Sequence, residues 1–127
     1  MIRYATVGSN KLAEAKAFYD ELLAGAGFKP VFEHPSGGRV YREPSGTTFA
    51  VLGPFDGETA TIGNGTMVGI EMKSQADVAS LHAKALELGG TDAGAPGRRG
   101  PEGSPAYFGY FRDLDGNKLC AYNFGGH

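Results

Sequence analysis

An internal repeat constrains the fold of this chain more than any other feature. Aligning Tyr4 with Met67, a shift of 63 positions (67 minus 4), matches an apolar strand pattern and an apolar helix pattern in one register. The other matched pairs are Val7 with Ile70, Ala15 with Val78, Phe18 with Leu81, Leu23 with Leu86, and Gly27 with Gly90. A repeat of this size indicates two modules of one shape, neither of which buries its sheet face alone.

The first half of the chain predicts the order strand, helix, strand, strand, strand. Residues 2–7 are a short β-rich run, and Ser9 or Asn10 is the expected N-cap of the helix that follows. Gly25 and Gly27 are expected to end that helix, because glycine readily adopts the positive φ found after helices. Turn-forming residues then separate three candidate strands, which are residues 29–34, 39–43 and 47–52.

The second half predicts the same order again. Residues 54–65 read as a connector, and residues 66–73 predict the first strand of the second module. Ser74, with Asp77 three residues later, is the expected N-cap of a second helix that ends at Gly89.

The remainder predicts an edge strand from Thr91, a Gly/Pro-rich loop over residues 94–105 and a closing hairpin. We therefore divide the chain into module one (about residues 1–53), the connector, and module two (about residues 66–127). The role of the 94–105 loop stays open at this point.

The closing hairpin carries a resemblance to a known family. Residues 111–122 read FRDLDGNKLCAY, and Asp115-Gly116-Asn117 supplies a tight turn. An Arg-Asp-x-Asp-Gly-Asn hairpin followed by a short apolar strand resembles the end of the glyoxalase / bleomycin-resistance / dioxygenase proteins, the vicinal oxygen chelate superfamily. The resemblance covers essentially the whole chain. It implies an α+β fold in which two βαβββ modules form one cupped mixed sheet with the helices on the outside; the alternative on pattern alone is a ferredoxin-like sandwich.

The resemblance also implies where a divalent metal would bind. Matching Gly46 to Gly116 brings Ala50 onto Cys120, so the family's metal positions are Tyr4, Ala50, Met67 and Cys120. None is His, Glu or Asp, whereas Mg²⁺, Mn²⁺, Fe²⁺ or Ni²⁺ in an oxygen/nitrogen site needs at least two or three carboxylate or imidazole ligands. We therefore expect no metal site and no cofactor, while the sequence by itself does not exclude a divalent metal.

The remaining donor residues restore no metal site. His34 lies at a strand end, His82 is expected to flank the buried stripe of the second helix, and His127 is the last residue. Asp113-x-Asp115-x-Asn117 copies the start of a calcium loop, but the glycine and glutamate that such a loop requires later are missing. We interpret this segment as a hairpin turn.

Strand alternation predicts a ligand pocket on the cup face. Its expected residues are Tyr4, Thr6, Met67, Gly69, Glu71, Cys120 and Tyr122, with Arg39 and Tyr41 from an inner strand of module one. This mixture of aromatic, sulfur-containing and few polar groups suits a small, partly apolar organic ligand.

Three residues of this pocket are candidate catalytic groups: Glu71, Tyr4 and Cys120. Each also has a plainer interpretation, since Glu71 equally fits a solvated strand-end charge and a lone cysteine is usually a small buried hydrophobe. Arg98 and Arg99 either form a lid over an anionic group or belong to a solvated surface loop.

Composition limits the classes of function. A net charge of -2, with 12 basic and 14 acidic residues and no basic stripe, argues against nucleic-acid binding. No apolar run approaches the ~20 residues that span a membrane, and the single cysteine excludes an internal disulfide. We expect a cytoplasmic protein.

Three functions are compatible with these observations. The favoured one is metal-free binding of a small molecule, similar to the bleomycin-resistance branch of the superfamily. The second is a metal-dependent lyase or dioxygenase resembling lactoylglutathione lyase, and the third is a dimeric protein with a vestigial pocket. The resemblance implies a homodimer; whether a reaction is catalysed stays open.

Overall fold

The computed structural model describes residues 1–125 as two modules with the order βαβββ. Module one contains β1 (Tyr4–Gly8), α1 (Leu12–Ala24), β2 (Lys29–Glu33), β3 (Arg39–Arg42) and β4 (Thr48–Leu52). Module two contains β5 (Val68–Glu71), α2 (Gln75–Glu87), β6 (Thr91–Arg98), β7 (Tyr107–Arg112) and β8 (Lys118–Asn123). The predicted two-module α+β fold is confirmed.

Each module forms its own mixed sheet of four strands. The strand orders are β1-β4-β3-β2 and β5-β8-β7-β6. The first and last strands of each module pair in parallel, and the other pairs are antiparallel. The mixture of parallel and antiparallel pairing expected for the cup is therefore present, but it is divided between two sheets and does not form one continuous sheet.

The repeat is confirmed in both helices and strands. Helices α1 and α2 each contain 13 residues and begin 63 positions apart (75 minus 12). In module one Thr6 lies opposite Ala50, and in module two the matching residues Gly69 and Cys120 lie opposite each other. Between the last strands the shift is 70 positions (118 minus 48), because the β6–β7 hairpin is longer than its counterpart.

One face of each sheet packs against the helices in a shared core. Phe18 and Leu22 of α1 and Leu81 of α2 are buried together with core-facing residues of the last strands, such as Val51 and Leu119. The other face of each sheet is directed away from this core. Neither helix is long and apolar enough to cross a membrane within the described residues.

The start of α1 differs from the prediction. The helix begins at Leu12 with Lys11 as its N-cap, and Ser9 instead accepts a hydrogen bond from the Lys11 N–H at 3.0 Å. The side chain of Asn10 exchanges two hydrogen bonds with the backbone of Ala60, at 2.9 and 2.7 Å. The predicted caps are wrong because both side chains bind backbone outside the helix.

The start of α2 agrees with the prediction. Ser74 has extended backbone dihedrals, and its hydroxyl accepts the Asp77 N–H at 3.0 Å. This bond satisfies one of the N–H groups that the first helical turn leaves without a partner.

Strand β6 is longer than predicted. It continues to Arg98, so the first five residues of the expected 94–105 loop belong to β6, which pairs with β7 there through Gly94, Gly97 and Arg98. The pairing shifts register on either side of Gly94, whose φ is 155°. Bulges of this kind let a strand rich in Gly and Pro keep pairing, and composition alone does not reveal them.

The β7–β8 turn ties the two modules together. Asp113 accepts the N–H groups of Asp115 and Asn117 at 3.0 and 2.9 Å, which confirms the hairpin interpretation of this segment. Tyr19 of α1 donates its hydroxyl to Asp113 Oδ2 at 2.6 Å, and the Asn117 amide donates to the Gly8 carbonyl at 2.8 Å. Burial, followed by the Asp113 charge, raises the pKa of Tyr19, so this phenol stays a donor.

Candidate functional site

A cavity of about 730 Å³ lies at the seam between the two modules. Five of the residues expected in the pocket line it: Tyr4, Met67, Gly69, Glu71 and Tyr122. Apolar walls come from both modules and include Phe28, Phe49, Val68 and Ile70, while Arg3, Glu43 and Lys73 add charge. This volume lies within the usual range of small-molecule sites.

Both faces of β5 border this cavity, because the predicted cup residues Met67, Gly69 and Glu71 line it together with the core-side residues Val68, Ile70 and Met72. Ile70 and Met72 are buried in the core, whereas Met67, Gly69 and Glu71 are exposed on the other face. Successive residues of a strand point to opposite faces, so every second position reaches the cup.

The placement of Arg39 and Tyr41 on the cup face is wrong. Tyr41 lies opposite Phe49 on the core side of the sheet, and its hydroxyl donates to Asp20 Oδ1 at 2.7 Å. The Arg39 guanidinium forms ion pairs with Asp20 and Glu33, each at 2.5 Å. Both side chains therefore hold β3 against α1.

The neighbouring residues of β3 face the cup instead. Val40 lies opposite Ala50, and Arg42 lies opposite Thr48, to whose hydroxyl it donates at 3.2 Å. A slip of one residue transfers every side chain of a strand to the other face, which accounts for the error.

Thr6 and Cys120 do not line the main cavity. Thr6 borders a second cavity of about 160 Å³, together with Ile62 and Thr66 near the connector. Cys120 is 1% exposed, and burial raises its pKa to about 11. The thiol is therefore protonated at neutral pH, which favours the interpretation as a small buried hydrophobe over that as a nucleophile.

Gly69 has little room for a side chain. A Cβ at this position would lie 3.1 Å from the Tyr122 ring and 3.3 Å from the Cys120 sulfur. The Tyr122 ring therefore approaches the β5 backbone closely. Burial, followed by the nearby Glu71 charge, raises the pKa of Tyr122, so its hydroxyl remains protonated and can donate to a ligand.

An aromatic cluster extends across the cup face of module two and was largely missed by the sequence analysis. It consists of Phe108, Tyr110, Tyr122 and Phe124. Phe108 stacks with Tyr110 and Tyr122 at centroid distances of 5.8 and 5.3 Å, with interplanar angles of 17° and 16°. The sequence feature that indicates this cluster is the alternation in YFGYFR, which places Phe108, Tyr110 and Arg112 on one face of the strand.

Two cations lie against this cluster. The Arg99 guanidinium is 5.5 Å and the Lys118 ammonium 5.1 Å from the Tyr110 ring centroid. Arg99 also donates to the Ala95 carbonyl at 2.6 Å, and Arg98 donates to the Ser104 carbonyl at 3.3 Å. Both arginines of the expected lid thus bind their own hairpin, and Arg99 is the one directed to the cup.

A polar cluster stands at the module-one side of the cavity. Glu43 accepts the backbone N–H groups of Ser45 and Thr47, each at 3.0 Å, as well as the Ser45 hydroxyl. These bonds, the Ser45 hydroxyl first, lower the pKa of Glu43 to about 2. Arg3 lies 4.0 Å from the same carboxylate, so these two charges are already partnered.

The residues at the family's metal positions do not fit a divalent metal. Ala50 carries no donor atom, Met67 offers only a thioether, and the Cys120 thiol is protonated and buried. Within residues 1–125 no three His, Cys, Asp or Glu side chains come together as a possible metal site. Oxygen- and nitrogen-ligand metals require a harder and richer donor set than this.

The histidines have other partners. His34 hydrogen-bonds the Ser36 hydroxyl at 2.9 Å. His82 is buried inside module two, where Nε2 lies 3.0 Å from Asp92 Oδ1 and 3.1 Å from the Tyr110 carbonyl oxygen. His82 is therefore more deeply buried than expected for a residue that flanks the buried stripe of α2. His127 lies outside the described residues.

Comparisons with known proteins agree with this architecture. The sequence model of the Glyoxalase/Bleomycin resistance protein/Dioxygenase superfamily matches residues 2–121. A solved glyoxalase/bleomycin resistance protein from Albidiferax ferrireducens T118 is 38% identical with a TM-score of 0.84, over 95% of this chain and 96% of that one. The comparison with curated proteins gives no match.

More distant solved structures share the fold. A glyoxalase/bleomycin resistance protein/dioxygenase family enzyme from Burkholderia phytofirmans PsJN is 16% identical, with a TM-score of 0.74 over 98% of both chains. A lactoylglutathione lyase from Agrobacterium tumefaciens is 17% identical, with a TM-score of 0.72 over 97% of this chain and 92% of that one.

Proposed function

This chain belongs to the Glyoxalase/Bleomycin resistance protein/Dioxygenase superfamily, and on that premise we propose that it binds a small, partly apolar organic molecule in the cup without a metal ion. The observation that carries this proposal is the cavity of about 730 Å³ at the seam between the modules. Predominantly apolar walls with a few polar groups are typical of sites for small organic ligands.

Two polar groups of the cavity are the proposed partners of such a ligand. Glu71 and Tyr122 lie opposite each other on β5 and β8 and both line the cavity. Tyr122 supplies a hydrogen-bond donor, and Glu71 is exposed at the end of its strand. Binding then combines burial of apolar ligand surface with one or two directed hydrogen bonds.

The donor chemistry of the metal positions favours binding over the metal-dependent reactions. A lyase or dioxygenase of this superfamily uses a metal to polarise neighbouring oxygens, and Tyr4, Ala50, Met67 and Cys120 form a poor donor set for that purpose. The likeness to the lactoylglutathione lyase supports the fold alone, since the identity is 17%.

The test begins with metal. The purified protein is examined by mass spectrometry for bound metal and by calorimetry for binding of Ni²⁺, Mn²⁺ and Fe²⁺. We expect neither stoichiometric metal nor saturable binding. One metal ion per chain would contradict the metal-free proposal and return the lyase or dioxygenase function to first place.

The second step is a screen of small organic compounds for thermal stabilisation. Compounds that stabilise the protein are tested against Tyr122→Phe and Glu71→Gln, with Glu87→Gln on the far end of α2 as the matched control. Loss of one hydrogen bond to a ligand is expected to weaken binding by about 0.5–1.5 kcal/mol. A screen in which no compound binds would contradict the proposal and favour a vestigial pocket.

We also propose that the chain forms a homodimer. Tyr4 and Met67, which line the cavity, and Phe124 of the aromatic cluster are 58%, 43% and 55% exposed, and exposed apolar residues are typical of association surfaces. Light scattering at micromolar concentration is expected to give the mass of two chains, and Met67→Lys to lower it. A single-chain mass at all concentrations would contradict this proposal.

A further inference from the structure

We infer that the ligand of the cup is a planar aromatic carboxylate. Its ring would pack on the aromatic cluster of module two, and its charge would be received by Arg99, Arg112 and Lys118. This inference rests on the proposed function, because it names the class of molecule for the same cup.

The aromatic cluster continues the surface of the cavity. Tyr122 belongs to both, since it lines the cavity and stacks with Phe108 at 5.3 Å. Phe124 meets the rings of Phe108 and Tyr122 edge-on at 5.6 and 5.3 Å. A flat ring entering from the seam therefore meets a preformed aromatic surface, and aromatic pairs contribute beyond the apolar area they bury.

The three cations stand at the other end of the cluster. Lys118 and Arg112 lie directly opposite each other on β8 and β7, two residues along each strand from the pair Cys120 and Tyr110 and therefore on the same face. The Tyr110 ring is flanked by Lys118 and Arg99. The positive charge is thus located where the aromatic surface ends.

These cations have no acidic partner in the part of the chain that the structure describes. Among the described residues, no carboxylate oxygen lies within 4.0 Å of the side-chain nitrogens of Arg99, Arg112 or Lys118. Arg99 and Arg112 donate instead to the carbonyls of Ala95 and Gly116. Three such cations on one face of a chain with net charge -2 form a local anion-binding surface.

The combination selects for both parts of the ligand. A neutral aromatic compound leaves the cations without a counterion, and an aliphatic carboxylate does not gain the stacking contacts. Charge-assisted hydrogen bonds from arginine or lysine to a carboxylate are among the stronger polar contacts in proteins. An aromatic carboxylate satisfies both requirements in one molecule.

The experiment compares four probes of similar size by calorimetry: 1-naphthoate, 1-naphthalenemethanol, 1-naphthylmethylammonium and decahydronaphthalene-1-carboxylate. We expect 1-naphthoate to bind at least about tenfold more tightly than each of the other three, with an affinity that decreases as salt is added. Equal affinity for the neutral, cationic or aliphatic probe would overturn the inference while leaving the proposed function in place.

Variants locate the site. Lys118→Gln and Phe108→Leu are expected to weaken 1-naphthoate binding about tenfold, by loss of charge and of stacking respectively. Arg98→Gln is the matched control, because Arg98 is exposed, adjacent to Arg99 and bound to the Ser104 carbonyl. Lys118 is only partly buried, so its variant remains informative if Phe108→Leu does not fold.

Two further outcomes are distinct. Binding of 1-naphthoate that neither Lys118→Gln nor Phe108→Leu weakens would overturn the inference, because the ligand would then lie elsewhere. Failure of all four probes and of the wider compound screen would contradict the proposed function itself, and the inference with it.

Discussion

The hydrogen bond from the Tyr19 hydroxyl to Asp113 is expected to contribute substantially to stability, because it joins α1 of module one to the hairpin turn of module two. The two oxygens are 2.6 Å apart, and both residues are buried. The variant Tyr19→Phe leaves the carboxylate without this donor at a buried position. A hydrogen bond to a charged group contributes about 1.5–3 kcal/mol.

The structure favours the lower part of that range. Asp113 keeps the backbone N–H groups of Asp115 and Asn117, and the Asn117 amide still donates to Oδ2 at 2.9 Å. The carboxylate thus stays largely satisfied after the hydroxyl is lost. We expect Tyr19→Phe to lower the free energy of unfolding by about 1.5–2 kcal/mol.

Urea unfolding at neutral pH measures this change. The midpoint should fall while the slope of free energy against urea stays constant. Tyr4→Phe is the matched control, since Tyr4 is 58% exposed, and it should change stability by less than about 0.5 kcal/mol.

A double-mutant cycle with Asp113→Asn isolates the pairwise term. We expect a coupling energy of at least about 1 kcal/mol between the two side chains. If Tyr19→Phe is as stable as Tyr4→Phe, or the coupling is zero, the hydroxyl does not hold the modules together and the reasoning is refuted.

Three further predictions concern single residues. Burial raises the pKa of Cys120 to about 11 from an ordinary value of 9.0, so the thiol of the unfolded chain ionises at lower pH than that of the folded chain. The contribution of the buried thiol to stability is therefore complete below pH 9 and is lost as pH rises through 11. At pH 8 iodoacetamide should label the native thiol about a hundredfold more slowly than the urea-unfolded one. Equal labelling rates would contradict this burial. Ser74→Ala should destabilise the protein by about 1 kcal/mol in thermal unfolding, because it removes the N-cap of α2. Ser80 is exposed in the interior of the same helix, so Ser80→Ala should stabilise the protein slightly. Equal changes in stability for the two variants would argue against the cap. Gly94→Ala should lower the free energy of unfolding by about 1–3 kcal/mol, because φ is 155° and the added Cβ would lie 2.8 Å from the Tyr110 ring. The control is Gly57→Ala, where φ is 74° and nothing lies within 4 Å of the added Cβ, so it measures the backbone penalty without a clash. Equal losses of stability in the two variants would show that no clash exists at Gly94.

The sequence predicted the elements whose signals are local. The helices follow from apolar residues at steps of three and four positions, and the cap at Ser74 from a residue type adjacent to the pattern. The cap at Ser9 or Asn10 failed because the side chain of Asn10 binds Ala60, which is 50 residues away. No local pattern contains that partner.

The error in β3 has a different physical origin. Alternation identifies the cup face only when one face of a strand is exposed, and here Val40 and Tyr41 are both buried. Polar residues at both ends of the strand, Arg39 and Arg42, give the pattern no further direction. The face was decided by the ion pairs of Arg39 with Asp20 and Glu33, which depend on tertiary structure.

The two modules carry different side chains at equivalent positions of their cup faces. At equivalent positions of the two cup faces, module one has Thr6, Val40 and Ala50, and module two has Gly69, Tyr110 and Cys120. Only the arginines Arg42 and Arg112 are the same at their shared position, a shift of 70 positions (112 minus 42).

The backbone register has therefore been kept in both modules while the side chains over it differ. Module one offers a small, nearly featureless surface at these positions, and module two offers aromatic rings and cations. Because stacking and charge pairing both require specific side chains, discrimination between ligands is expected to reside in module two, with module one acting mainly as the opposing wall of the cavity.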